Sequence, residues 1–99
     1  MLNLDTGSAP ELLSTYNLIK RAFPNGINTS AYLPLLVLLD EEMSDRNLAE
    51  VVAQYTGKEY EIVFNDLYRV KSTDIPSQAS IAKIKQLLLA SGYQEWLEE

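Results

Sequence analysis

The sequence predicts an all-α protein, a compact single domain built from about five short helices. Three observations support this prediction. Apolar residues recur at steps of three and four along most of the chain, and residues that cap or break helices separate these segments. Apolar residues also make up 46% of the 99 positions, enough for one core. We expect helices near residues 9–23, 29–39, 45–55, 59–70 and 78–91, with flexible tails at 1–7 and 94–99.

The first predicted helix begins with a capping signal and continues as an apolar stripe. Ser8 and Glu11 have the S-x-x-E spacing of a capping box, and Pro10 falls in the first turn, where its missing N–H costs nothing. A proline followed by an Asn-Gly turn at 24–26 ends the helix. Its stripe runs at helical spacing through Leu12, Tyr16, Ile19 and Phe23.

The second predicted helix has a proline near its start. Pro34 lacks the N–H that would bond to the carbonyl of Ser30. We therefore expect a loose or 3₁₀-like first turn, capped by Asn28 or Thr29, and a regular helix from the proline onward. The remainder is leucine and valine almost all the way round, which is typical of a helix packed in the centre of a bundle.

The third and fifth predicted helices have capping residues at both ends. Ser44 and Ser77 stand at N-cap positions, and Gly57 and Gly92 stand where a left-handed residue ends a helix. The stripe of the third helix comprises Leu48, Val51, Val52 and Tyr55. That of the fifth comprises Ile81, Ile84 and Leu88, widened by Leu87 and Leu89.

The segment 59–70, EYEIVFNDLYRV, has two interpretations. In the first, apolar residues alternate as in a strand, at Tyr60, Ile62 and Phe64. Asn65-Asp66 would then form the turn of a hairpin. Another set has helical spacing: Val63, Leu67 and Val70. We favour a helix, because an isolated hairpin on a helical body is only marginally stable.

Composition argues against several functional classes. The chain has no cysteine and no histidine, so it lacks disulfides, thiolate metal ligands and the commonest general base. Fourteen acidic against eight basic residues give a formal net charge of −6, which repels nucleic-acid phosphates and anionic lipids. The amino terminus has no basic segment followed by an apolar one, from which we expect no signal peptide and a cytoplasmic location. We also expect no membrane span, since the longest apolar run is too short.

Four segments of the chain together resemble a known family. They are F-P-N-G-I at 23–27, A-Y-L-P-L-L-V-L-L at 31–39, I-P-S at 75–77 and L-L-L-A-S-G-Y at 87–93. In this order and spacing they resemble a small bacterial family of unknown function, best represented in mycobacteria and their relatives. The resemblance extends from about residue 12 to 93 and implies a compact bundle of five helices.

The same resemblance implies that 59–70 is a helix. Two departures stand at its end, because Tyr93 occupies the position of a tryptophan in the family and no proline follows it. The family has no established catalytic or binding residues, so the resemblance implies a fold without a function.

Two groups of residues are candidates for contact with another protein. The first is the acidic segment between the second and third helices, and it comprises Asp40, Glu41, Glu42 and Asp45. It does not have the spacing of a calcium loop, although two of its carboxylates would suffice for Mg²⁺. The second group is Trp96 and Leu97 in the acidic C-terminal tail. Trp96 either folds back over the core, which we favour, or stays exposed as a docking residue.

These observations predict a non-enzymatic, monomeric helical protein that needs no cofactor and binds another protein, one with a basic surface. The alternative is a small-ligand or regulatory sensor, with a pocket lined by Tyr16, Tyr32, Tyr55, Tyr60 and Phe64. A helix-turn-helix that reads DNA through Arg46 and Asn47 is disfavoured, because the acids around these residues repel phosphate.

Overall fold

The computed structural model describes residues 10–99, which form a bundle of α-helices with no strand among them. Residues 60–72 are helical, with Glu59 as the N-cap, so the prediction of a helix near 59–70 is confirmed and the hairpin alternative is wrong. No helix within residues 10–99 is long and apolar enough to cross a bilayer. The capping box at Ser8 and the tail at 1–7 lie outside the described residues. The helices are α1 (Pro10–Ala22), α2 (Thr29–Asp40), α3 (Asp45–Thr56), α4 (Tyr60–Ser72), α5 (Gln78–Ala90) and α6 (Tyr93–Leu97).

Helix α2 occupies the centre of the bundle, as its leucine-rich sequence predicts. It contacts α3, α4 and α5, and its side chains Leu35, Leu36 and Leu39 have no exposed surface. A helix that is apolar on nearly every side is stable only when neighbours cover most of it. The other helices therefore bury their apolar stripes against α2 or against each other, in one hydrophobic core.

The start of α2 differs from the sequence prediction. The segment is α-helical from Thr29, so the expected loose turn does not extend to Pro34. Its first backbone bond, from the Ala31 N–H to the Asn28 carbonyl at 3.1 Å, nevertheless has the i→i+3 spacing of a 3₁₀ turn. Asn28 is the cap, and its Oδ1 accepts hydrogen bonds from the Ala31 N–H at 2.9 Å and the Ser30 hydroxyl at 2.8 Å. These bonds hold the first turn in place of the bond that the proline removes. Ser30 itself is exposed, which reduces the cost of leaving its carbonyl without a helical donor.

The remaining caps follow the sequence prediction. Ser44 Oγ accepts from the Asn47 N–H at 3.2 Å, and Ser77 Oγ accepts from the Ser80 N–H at 3.1 Å. Gly57 ends α3 with a φ of +81°, in the left-handed region. The capping signals at Ser44, Ser77 and Gly57 are therefore reliable guides to the helix ends.

Helix α5 is less buried than its sequence predicts. Ile84 and Leu88 lie in the core, but Leu87 and Leu89 are 38% and 39% exposed. The apolar stripe of α5 has five leucine and isoleucine residues, and it is wider than the surface of α1 and α2 that packs against it. Part of its apolar face therefore remains open to solvent.

The C-terminal segment forms a short sixth helix where the sequence analysis predicts a flexible tail. Helix α6 contacts α1 and α5. The Tyr93 and Trp96 rings stack with centroids 5.7 Å apart, and Trp96 Nε1 donates a hydrogen bond to Thr15 Oγ1 at 3.0 Å. Trp96 thus folds back over the core, and tertiary contacts rather than periodicity hold residues 94–97 in place.

Candidate functional site

The acidic segment separates into two parts in the structure. Lys71 Nζ lies 3.3 Å from Asp40 Oδ1 and 3.0 Å from Asp45 Oδ1. Burial and the neighbouring Asp45 carboxyl raise the pKa of Asp40, whereas the interaction with Asp40 and the hydrogen bonds from Lys71 lower the pKa of Asp45. The lysine occupies the position that Mg²⁺ would need between these carboxylates. This cluster links the ends of α2, α3 and α4 and has a structural role.

The other two acids of the segment face helix α6. Burial raises the pKa of the Tyr93 phenol, and the negative charges of Glu42 and Glu41 raise it further, so both carboxylates lie near this ring. A groove of about 150 Å³ lies beside Glu42. Its lining residues are Thr15, Glu42, Met43, Trp96, Leu97 and Glu99. The structure therefore brings together Glu42 with Trp96 and Leu97, members of two groups that the sequence analysis treats separately.

This region has the properties of a docking surface. Leu97 is 38% exposed and Trp96 is half-buried, so an apolar centre is accessible between exposed carboxylates. None of the acids around it takes part in the ion pairs that the described part of the chain contains. We call it the acidic C-terminal surface, and it comprises Glu41, Glu42, Met43, Trp96, Leu97 and Glu99.

The five aromatic residues proposed as a ligand pocket do not converge. Tyr16 and Tyr55 meet edge to face with centroids 5.4 Å apart, and the Tyr55 hydroxyl donates to the Phe23 carbonyl. Tyr60 and Phe64 pair at 5.8 Å on the exposed side of α4. Tyr32 and Tyr55 line a cavity of about 350 Å³ beside Lys58, but the α4 pair does not reach it.

Tyr32 belongs instead to a polar link between α2 and α4. Its hydroxyl donates to Asp66 Oδ2 at 2.7 Å, and Arg69 Nη1 lies 2.9 Å from the other carboxylate oxygen. Burial, followed by the bond to Asp66, raises the pKa of Tyr32 far above its usual value. Asp66 is only 7% exposed, and both of its oxygens have partners, so this link stabilises the packing.

Sequence reasoning missed Asp66, although one signal for it exists. Asp66 lies between Val63, Leu67 and Val70 on the apolar stripe of α4, where an unpaired carboxylate would be costly. A carboxylate in such a position indicates a partner on a neighbouring helix. The pattern does not say that the partner is Tyr32.

The described residues contain no group of three or more side chains that would hold a metal ion. Comparisons with models of protein families, with curated proteins and with solved structures found no match. Function must therefore be inferred from the geometry of the chain itself. Within that geometry, the acidic C-terminal surface gathers the largest number of the residues that the sequence analysis selects.

Proposed function

We propose that this chain is a non-enzymatic interaction protein, which binds a basic surface of another protein through its acidic C-terminal surface. The observation that supports this most directly is the position of Trp96 and Leu97 between Glu42 and Glu99. Protein interfaces commonly have an aromatic or aliphatic centre within a polar rim. A rim of one charge also attracts partners of the opposite charge and rejects others.

The indole of Trp96 is suited to act as an anchor because it is already fixed. Its N–H is bonded to Thr15 and its ring is stacked on Tyr93. A side chain held in one rotamer before binding loses little conformational entropy when a partner covers it. The part of the ring that remains accessible is therefore available for contact at low cost.

The chemistry of the chain also favours binding over catalysis. The groups with shifted pKa values include Tyr32, Asp40 and Asp45, and each is bonded to a side chain that links helices. Catalytic groups normally combine a shifted pKa with an open cleft. We infer that the protein needs no cofactor and acts as a monomer in the bacterial cytoplasm, where the absence of cysteine is unremarkable.

An affinity pulldown from the native cell at physiological salt tests this proposal. The bait is the tagged chain, either unchanged or carrying Glu41→Lys and Glu42→Lys together. Both positions lie at the carboxyl end of α2, where lysine suits the helix dipole, so the variant is expected to fold. We expect a reproducible partner with the unchanged bait and its loss with the charge-reversed one.

The control carries Glu59→Lys and Glu61→Lys, the same change in net charge at the start of α4. Lysine opposes the helix dipole at this end, so the control is used only if its helical content and thermal stability match those of the test variant. We expect this control to retain the partner. A complete absence of partners, or equal retention by both double variants, would contradict the proposal. Circular dichroism of each bait checks that the helical fold is intact.

The alternative function, a small-ligand sensor built on the five aromatic residues, has weaker support because those rings do not share a pocket. Its test is a thermal-shift screen against metabolites. A stabilising compound whose effect disappears in Tyr32→Ala, while Phe64→Ala leaves it unchanged, would place a ligand in the Tyr32 cavity alone.

A further inference from the structure

A second site lies at the other end of α2. It is an open groove of about 690 Å³, bounded by the carboxyl end of α1 and the loop after it, the first turn of α2 and one side of α5. This volume is within the range of small-molecule sites. Because α2 has 12 residues and is therefore about 18 Å long, the groove is separate from the acidic C-terminal surface.

The floor and one wall of the groove are apolar. Phe23, Ala31 and Ile84 are 6%, 2% and 7% exposed and form the floor. Leu87 lines the side of α5 and is 38% exposed. By its spacing Leu87 belongs to the apolar stripe of its helix, yet the neighbouring helices cover it only in part. The groove therefore offers apolar surface that a ligand would remove from water.

The charge of the groove is opposite to that of the molecule. The chain has a net charge of −6, but the residues that line the groove include no aspartate or glutamate and one lysine, Lys83. Lys83 does not occur in the ion pairs of residues 10–99. The remaining polar lining consists of hydroxyl and amide side chains such as Ser80 and Gln86. A ligand that fits this lining has an apolar body and one negative charge.

We propose that the groove binds small amphiphilic carboxylates, with an alkyl or aryl body on Phe23, Ile84 and Leu87 and the carboxylate beside Lys83. This site is independent of the protein-binding function proposed above. A partner helix fits less well, because helix-in-groove recognition uses apolar contacts over several turns. Here α5 supplies only Ile84 and Leu87, which are three residues apart.

The test is an amide NMR titration of the purified full chain with 4-phenylbutyrate and with its neutral analogue 4-phenylbutanamide. We expect saturable shifts at residues 22–31 and 80–87 with the carboxylate, and binding at least about threefold weaker with the amide, the scale of a partly exposed ion pair. Equal binding of both compounds would overturn the assignment of a carboxylate. No saturable shift at millimolar concentration would overturn the site.

Two variants make the result specific. Lys83→Met keeps most of the side chain but removes the charge, so the carboxylate should then bind only as well as the amide. Lys85→Met is the matched control, because Lys85 is exposed on the same helix but does not line the groove. Equal loss in both variants would overturn the role of Lys83. Shifts of the same amides with protein concentration alone would assign the groove to a second copy of the chain and likewise overturn the proposal.

Discussion

At the scale of a single residue, Trp96 has a structural role and, under the proposed function, a second role in binding. Its indole N–H reaches Thr15, 81 positions earlier in the chain, and fixes α6 on the core. The exposed part of the same ring lies in the centre of the acidic C-terminal surface. Under the proposed function, stability and binding would therefore depend on different atoms of one side chain, and substitutions can separate them.

Trp96→Phe should lower the free energy of unfolding by about 1 kcal/mol, because it removes the hydrogen bond to Thr15 while keeping an aromatic ring on Tyr93. Chemical denaturation followed by circular dichroism measures this change. Thr15→Val provides a double-mutant cycle, in which the combined loss should be smaller than the sum of the single losses. Strict additivity would mean that the bond does not contribute.

Because of Tyr32, the free energy of unfolding should fall as the pH rises in the alkaline range. Its pKa is raised above 10.0 in the folded state, so the unfolded chain releases this proton at lower pH than the folded chain. The folded state then binds more protons, and the free energy of unfolding falls as the pH rises above about 10. Below that pH the contribution is complete.

Tyr32→Phe should reduce this loss of stability between about pH 8 and about pH 11, as measured by chemical denaturation at both values. A smaller slope remains because the pKa of Tyr93 is also raised. Tyr68→Phe is a control, since Tyr68 is 73% exposed. This substitution should leave the pH dependence of the free energy of unfolding unchanged. An unchanged slope in Tyr32→Phe would contradict the link between Tyr32 and Asp66.

At the scale of elements, the stability of the fold depends on how completely its neighbours enclose α2. Leu36 has no exposed surface, whereas Leu33 is only partly buried against the core. Both are leucines inside the same helix, so replacing either by alanine changes helix propensity equally. The difference between the two variants then measures the burial of each side chain together with the cavity that its truncation leaves.

Leu36→Ala should destabilise the fold by about 3 kcal/mol, through lost burial and the cavity left behind. Leu33→Ala should cost about 1 kcal/mol, because part of that side chain is already in water. Urea denaturation with a common baseline measures both values. Equal costs would contradict the central position of α2.

The sequence predicted elements well where the signals are local. Ser44, Ser77 and Gly57 act within one turn, and each stands at the predicted cap. Helix α6 was missed because it is only five residues long and is held by Trp96 on Thr15, a contact that no periodicity encodes. The effect of Pro34 was overestimated, because the two bonds to the Asn28 cap compensate for the one it removes.

The candidate site was predictable in composition but not in arrangement. Asp40, Glu41, Glu42 and Asp45 lie within six consecutive positions, yet Lys71 forms ion pairs with the first and last of them. The middle two lie near Tyr93 and the C-terminal helix. Only the path of α4 and α6 across the bundle decides which carboxylates are available to a partner.

At the scale of the whole molecule, charge is distributed unevenly. Unpaired carboxylates gather at the carboxyl ends of α2 and α6, whereas the groove at the amino end of α2 contains a lysine and no acid. A protein whose negative charge is concentrated at one end approaches a basic partner with that end first. The orientation of any complex should therefore be set by the acidic C-terminal surface.

The most direct test of this account is an amide NMR footprint of the partner captured by pulldown, recorded on the isotope-labelled chain. We predict shifted or broadened signals at residues 41–43 and 93–99, which weaken as added salt screens the charges. A footprint on the exposed aromatic side of α4, or one that added salt leaves unchanged, would contradict the assignment of the acidic C-terminal surface as the binding site.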